Sequence, residues 1–235
     1  MNLVLLYQDD FVSEGLVRLS GRRLEHIRSV HRVKVGDELT VGLLDGKIGK
    51  GRLLTLENDC LEMQVELKET PPAKLPLTLV LAMPRPKVLN RVIAAATSLG
   101  VSRIYLVNAW RVEKSYWKSP RLAEENLLLQ RLLGLEQAKD TQLPELHLRR
   151  LLRPFAEAEL PGLAAHTLAL VAHPGASAPC PRNLEQPVTL AIGPEGGFIP
   201  AEIELLVRIG FQAVDLGPRI LRVETAVAAL VARLF

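Results

Sequence analysis

After Pro71-Pro72 the chain changes rhythm, and this change constrains its fold more than any other feature. Beyond it, short apolar runs at Leu77–Ala82, Arg103–Val107, Thr167–Ala172, Val188–Ile192 and Ala213–Leu216 alternate with helical patterns. The helical patterns fall at Val88–Leu99, Arg121–Ala138, Pro200–Ile209 and Val223–Leu234. Strands buried on both faces read as near-continuous apolar runs, so strand–helix alternation of this kind implies a parallel sheet covered on both sides. Gly100 is a candidate left-handed cap closing the first of these helices. Thr70–Pro76 reads as an extended linker, because proline cannot donate to a ladder and restricts the residue before it.

Ahead of the linker the pattern is that of short β segments. Val33–Asp37 turns into a strand at Glu38–Val41, and Asp45-Gly46 is the strongest hairpin signal in the chain. Gly49–Leu54 and Leu61–Val65 alternate polar and apolar residues as half-buried strands do, while Leu24–Arg32 is the candidate helix. Several short strands with turns between them point to a small barrel. The expected division is residues 1–72 and 73–235.

With 48% hydrophobic residues in 235, the chain has enough apolar material for a sizeable core, which excludes a disordered protein. Charge interrupts the apolar stretches well before membrane-spanning length, so no membrane span is expected. Met1–Asp10 has no basic n-region and meets Asp9 and Asp10 too early for a signal peptide. Cys60 and Cys180 are far apart and lack metal-ligand spacing, so no metal site is expected and a reducing cytoplasm fits. The net charge of +3 is mild, but Arg18, Arg22, Arg23, Arg28, Arg32 and Lys34 face only Glu25 among acids in that window. Such a run is either a solvated helix face or a surface for nucleic-acid phosphates.

Two loops concentrate the chemistry. Gly193-Pro194-Glu195-Gly196-Gly197 follows the apolar run Val188–Ile192 and precedes Pro200, with Glu202 and Glu204 in the first helical turn. Three glycines in five residues let the backbone approach a ligand closely, and ligands of parallel sheets bind at the carboxyl ends of strands. The spacing matches neither the dinucleotide fingerprint nor the Walker loop. The second loop, Leu216 to Thr225, turns at Gly217-Pro218 and carries Arg219, Arg222 and Glu224. On its own, Glu224 could simply favour the helix dipole and both arginines could face solvent.

Taken together, in this order and about twenty residues apart, the two loops resemble the C-terminal signature of the SPOUT superfamily. Within it the chain resembles the ribosomal RNA small-subunit methyltransferase E family, which methylates N3 of a uridine in 16S rRNA. The likeness extends to Val33–Asp37 with His26 and Arg32, to Leu99-Gly100-Val101, and to Glu136-Gln137 followed by Leu143-Pro144. The chain departs from the family's pattern at Asn2, at Ala94, Ala95 and Ser98, and at Lys139-Asp140. Those departures bear on the RNA target and leave the two loops intact.

The resemblance implies an N-terminal PUA-like β-barrel and a C-terminal SPOUT α/β domain with a trefoil knot. It implies S-adenosylmethionine as cofactor, held largely by the backbone at Ala172, His173, Ile192, Gly193, Glu195, Gly196, Gly197, Leu216, Gly217, Pro218, Ile220 and Leu221. Arg222 is then the candidate for chemistry, Arg219 for substrate contact and Glu224 for orienting an arginine. RNA contacts are expected from Arg18, Arg22, Arg23, Arg28 and Arg32. Expected partners are ribosomal RNA or the small subunit, and a second copy of the chain through the knotted domain. The rival readings are a related methyltransferase with another RNA nucleotide, an RNA-binding module without catalysis, and a dinucleotide-dependent oxidoreductase. The last is disfavoured by the missing glycine fingerprint.

Overall fold

The computed structural model describes residues 2–31 and 33–235. The chain forms two compact units, one running to Ala73 and including Leu132–Leu143, the other made of Lys74–Arg131 and Pro144–Phe235. The inclusion of Leu132–Leu143 in the first unit departs from a division at residue 72. Its reason is a set of main-chain and side-chain ties. The Asn2 and Leu3 amides donate to the Glu136 carbonyl at 3.0 and 3.1 Å, the Asp45 amide donates to the Thr141 carbonyl at 2.8 Å, and the Leu143 amide donates to Asp45 Oδ1 at 2.8 Å.

The first unit carries a six-stranded sheet from β1 (Val4–Leu6), β2 (Phe11–Ser13), β3 (Leu16–Leu19), β4 (Glu38–Leu43), β5 (Ile48–Leu56) and β6 (Leu61–Glu69). The strand order is β1-β4-β5-β6-β3-β2, antiparallel throughout except for β1 beside β4. Asp45 takes the left-handed conformation at φ +56° in the β4–β5 hairpin, as its Asp-Gly signal requires. Gly49 lets β5 cross tightly over β6, since a Cβ there would collide with the Glu66 carbonyl. The inward faces of these strands bury Val17, Leu19, Val41, Leu53, Leu61 and Met63. The helix expected at Leu24–Arg32 is a shorter α1 (Gly21–His26) running into a π-helical turn at Ile27–His31.

The second unit is a seven-stranded sheet, parallel throughout, in the order β11-β13-β10-β12-β7-β8-β9. Its strands are β7 (Leu75–Ala82), β8 (Val101–Val107), β9 (Glu145–Arg149), β10 (Leu168–Ala172), β11 (Ala178–Pro179), β12 (Val188–Ile192) and β13 (Gln212–Asp215). Strand β12 is buried along its whole length, and its one polar side chain, Thr189, is satisfied by Thr167 Oγ1 at 2.9 Å. Strand β7 begins at Leu75 and so absorbs part of the expected linker; Pro76 sits where its pairing with β8 is irregular, which costs no ladder bond.

Helices α2 (Pro86–Ser98), α6 (Pro200–Arg208) and α7 (Val223–Leu234) lie close to their expected spans. Helix α3 (Glu124–Ala138) starts later than expected, because Pro120–Leu122 forms a separate 3₁₀ turn capped by Ser119. The charged edge strand β9 and the short, proline-containing helices α4 (Leu152–Ala158) and α5 (Leu160–Ala164) were not anticipated. Among the described residues no helix is long and apolar enough to cross a membrane.

Candidate functional site

Strands β13, β10 and β12 are neighbours and run in the same direction, so the loops that follow them leave the same edge of the sheet. That topology alone brings together the segments after Ala172, Ile192 and Asp215. They line one cavity, which opens to solvent. Its walls include the apolar side chains of Leu216, Val223, Ala226 and Leu230 beside loop backbone.

The loop after β12 closes on itself. The Gly197 amide donates to the Pro194 carbonyl at 2.8 Å with Gly197 at φ +71°, a conformation that favours glycine. A Cβ on Gly193 would stand 2.8 Å from the Phe198 nitrogen and 3.1 Å from the Gly197 carbonyl carbon, so only glycine permits this closure. Phe198, 4% exposed, anchors the loop in the core. Glu195 Oε1 accepts the backbone N–H of Arg85 at 2.9 Å. Glu202 is fully occupied structurally: it accepts from the Ile199 amide at 3.0 Å and the Trp110 amide at 2.8 Å.

Of the residues expected at the cofactor, Ala172, His173, Ile192, Gly193, Glu195, Gly197, Leu216, Ile220 and Leu221 line the cavity. Gly196, Gly217 and Pro218 do not. Gly196 faces Arg111, whose guanidinium donates to the Gly196 carbonyl. Gly217, at φ +125°, and Pro218 shape the turn, with the Gly217 amide held by Asp215 Oδ1 at 3.1 Å. Arg219 lines the cavity, whereas Arg222 and Glu224 line an adjoining groove together with Arg85, Val88 and Arg91. Glu195, Ile220 and Leu221 border both spaces.

Glu224 is paired with Arg91 of α2 at 3.3 Å, so the arginine it orients is one the sequence reading overlooked. The signal was present: Arg85, Val88 and Arg91 recur at helical spacing and fall on one stripe. Desolvation and the Glu113 carboxylate push the Tyr116 phenol up, and the Arg85 guanidinium works in the opposite direction.

The arginines of the first unit are largely engaged. Arg23, with a side chain 14% exposed, grips Asp10 through two nitrogens, donates to the Leu5 carbonyl at 2.9 Å and covers the Tyr7 ring at 4.5 Å. This makes Arg23 a structural ion pair rather than the exposed contact its position in the cluster suggested. Arg22 makes a two-pronged pair with the buried Glu136 at 2.9 and 3.2 Å. Arg18 pairs with Glu62 at 2.8 Å on the surface, and Arg28 donates to the Asn58 carbonyl at 2.9 Å. Arg32 lies outside the described residues.

Fold and site together define an α/β protein whose ligand cavity is built from three loops at the carboxyl edge of a parallel sheet. The chain belongs to the RNA methyltransferase family, whose domain profile matches residues 71–235. It is 32% identical to ribosomal RNA small subunit methyltransferase E of Treponema pallidum, over 97% of this chain and 88% of that protein. It is also similar to the crystal structure of a ribosomal RNA small subunit methyltransferase E from Neisseria gonorrhoeae bound to S-adenosyl methionine. That likeness has a TM-score of 0.79 and 25% identity, over 98% of this chain and 95% of the other. A protein from Legionella pneumophila, described as a methyltransferase and solved with bound SAM, matches with a TM-score of 0.75 and 27% identity over 99% and 96% of the two chains.

Proposed function

We propose that this chain uses S-adenosylmethionine to methylate N3 of a uridine in 16S rRNA of the small ribosomal subunit. The observation that carries the reading is the convergence of three strand-end loops on one cavity, joined to an arginine-lined groove by Glu195, Ile220 and Leu221. The residues present fit the cofactor. Apolar walls suit an adenine ring, and Gly193 lets the loop fold back on Gly197 and Phe198 so that its backbone lines the cavity. Gly193, Gly197, Leu216 and Leu221 would hold it, with Arg219 beside them.

When bound, S-adenosylmethionine supplies an electrophilic methyl group. The chain's own part is to position the nucleotide, exclude water and manage one proton. Uridine N3 is protonated at neutral pH, and losing that proton spreads negative charge over N3, O2 and O4. Glu195 accepts the N3 proton: its Oε1 is engaged by Arg85, and its Oε2 has no hydrogen bond among the described residues. Arg222, in the groove, offsets the charge left on the uracil oxygens, a contact stronger in the transition state than before it.

The same reading makes the first unit a PUA-like barrel that docks ribosomal RNA through Arg18, Arg22 and Arg28. It makes the second a trefoil-knotted SPOUT domain that forms a homodimer in the cytoplasm. Calorimetric titration with S-adenosylhomocysteine and with NAD tests the cofactor assignment. One S-adenosylhomocysteine per chain and no NAD binding is expected, and the reverse would refute it.

A further inference from the structure

The groove beside the cofactor cavity contains more cationic chemistry than orienting a single base requires. Arg85 at the N-cap of α2 and Val88 and Arg91 within it line the groove together with Ile220, Leu221 and Arg222, which lead into α7, and Glu224 in its first turn. Three guanidinium groups face two carboxylates, Glu195 and Glu224. Glu195 is already tied to a backbone N–H. Val88, Ile220 and Leu221 add apolar surface to the groove, and Ile220 is 83% exposed. An exposed isoleucine in such a place suits the face of a planar ring.

Arg85 caps α2 and Arg91 lies more than one turn inside it, so the two side chains start from different levels of the helix. Two such starting points let them reach separate phosphates of a chain. The groove offers about 480 Å³ of space, room for a nucleotide. The Arg91–Glu224 pair is long at 3.3 Å, and its side chains are 65% and 25% exposed, so it is readily exchanged for a stronger partner. A phosphodiester accepts both prongs of a guanidinium fork and would be that partner.

Resting on the reading of the chain as a ribosomal RNA methyltransferase, we propose that this groove seats the backbone of the target nucleotide. Arg85 and Arg91 grip the flanking phosphates. Glu224 holds Arg91 in place until the RNA arrives and then yields it. The shared border at Glu195, Ile220 and Leu221 sets the base of a nucleotide held this way next to the cofactor cavity.

The test measures binding of a small-subunit ribosomal RNA transcript over a salt series, for the wild type and for R85Q, R91Q, the double variant and E224Q. S-adenosylhomocysteine affinity is measured in parallel. Each lost phosphate contact should reduce the log–log salt slope by about 0.7, and the double variant by about twice that, with S-adenosylhomocysteine affinity unchanged. E224Q, which frees Arg91, should bind RNA at least as tightly as the wild type. If Arg91 serves only to brace α7, E224Q would lose thermal stability as R91Q does, and RNA binding would be untouched in both; that pattern would overturn the proposal. Wild-type affinity and slope in a folded double variant would overturn it too. Failure of the wild type to bind both the transcript and small ribosomal subunits that lack the modification would instead overturn the underlying reading, and the proposal with it.

Discussion

Glu195 Oε1 accepts the backbone N–H of Arg85 at 2.9 Å, which ties the glycine loop after β12 to the residue that caps α2. One carboxylate thereby fixes the border between the cavity and the groove. Glu195→Gln keeps an acceptor for that N–H but cannot take a proton. Methyl transfer should fall by about 10²–10⁴-fold while S-adenosylhomocysteine affinity changes little. A single-turnover assay decides this: a rate near wild type would leave Glu195 a purely structural tie.

Gly193 and Gly196 should respond differently to the same substitution. In Gly193→Ala the new Cβ presses on the Phe198 nitrogen at 2.8 Å, against backbone that cannot give way. Overpacking of this kind costs about 1–3 kcal/mol of stability, and relieving it displaces the loop from the cavity, so S-adenosylhomocysteine affinity should fall. In Gly196→Ala the Cβ meets only the flexible Arg111 side chain, at 3.0 Å, and affinity should stay within a few-fold of wild type. Calorimetry on both variants checks the contrast, and equal effects would contradict it.

Most of the parallel sheet was legible because its strands are buried on both faces and read as apolar runs; Val188–Ile192 matches β12 residue for residue. The Asp45-Gly46 hairpin was legible because its chemistry is local. Strand β9 was not, since an edge strand keeps charged residues such as Glu145 and Arg149, and neither were α4 and α5, where Pro154 and Pro161 mask short helices. The glycine loop announced itself, but the facing of each glycine depends on tertiary neighbours, and the sequence does not show that Gly196 faces Arg111. Arg23 was misread for the same reason. Charge clustering records where arginines fall in the chain and says nothing of a buried partner such as Asp10.

That ion pair makes a stability prediction. Arg23→Ala strands the Asp10 carboxylate, whose side chain is 10% exposed, without its cation. Breaking a buried pair from one side costs about 3–5 kcal/mol, whereas Arg18→Ala, on the surface, should leave stability close to wild type. Urea denaturation of the two variants distinguishes them, and equal midpoints would show that the Arg23–Asp10 pair carries no stability.

Arg222 lines the groove and not the cofactor cavity, so its removal should separate binding from chemistry. Arg222→Ala should slow methyl transfer by about 10²–10³-fold, with cofactor affinity nearly intact. Arg222→Lys should recover part of the rate, since it restores charge without the planar fork. A stably folded Arg222→Ala enzyme that transfers at the wild-type rate would move the assignment to Arg219.

Mapping the methylated product tests the reaction itself. Purified protein is incubated with S-adenosylmethionine and small ribosomal subunits that lack the modification, and the 16S rRNA is digested and analysed by mass spectrometry. One added methyl group on N3 of a single uridine is the predicted result. A methyl group on another base or on a ribose, or no incorporation by protein that binds both cofactor and RNA, would contradict it.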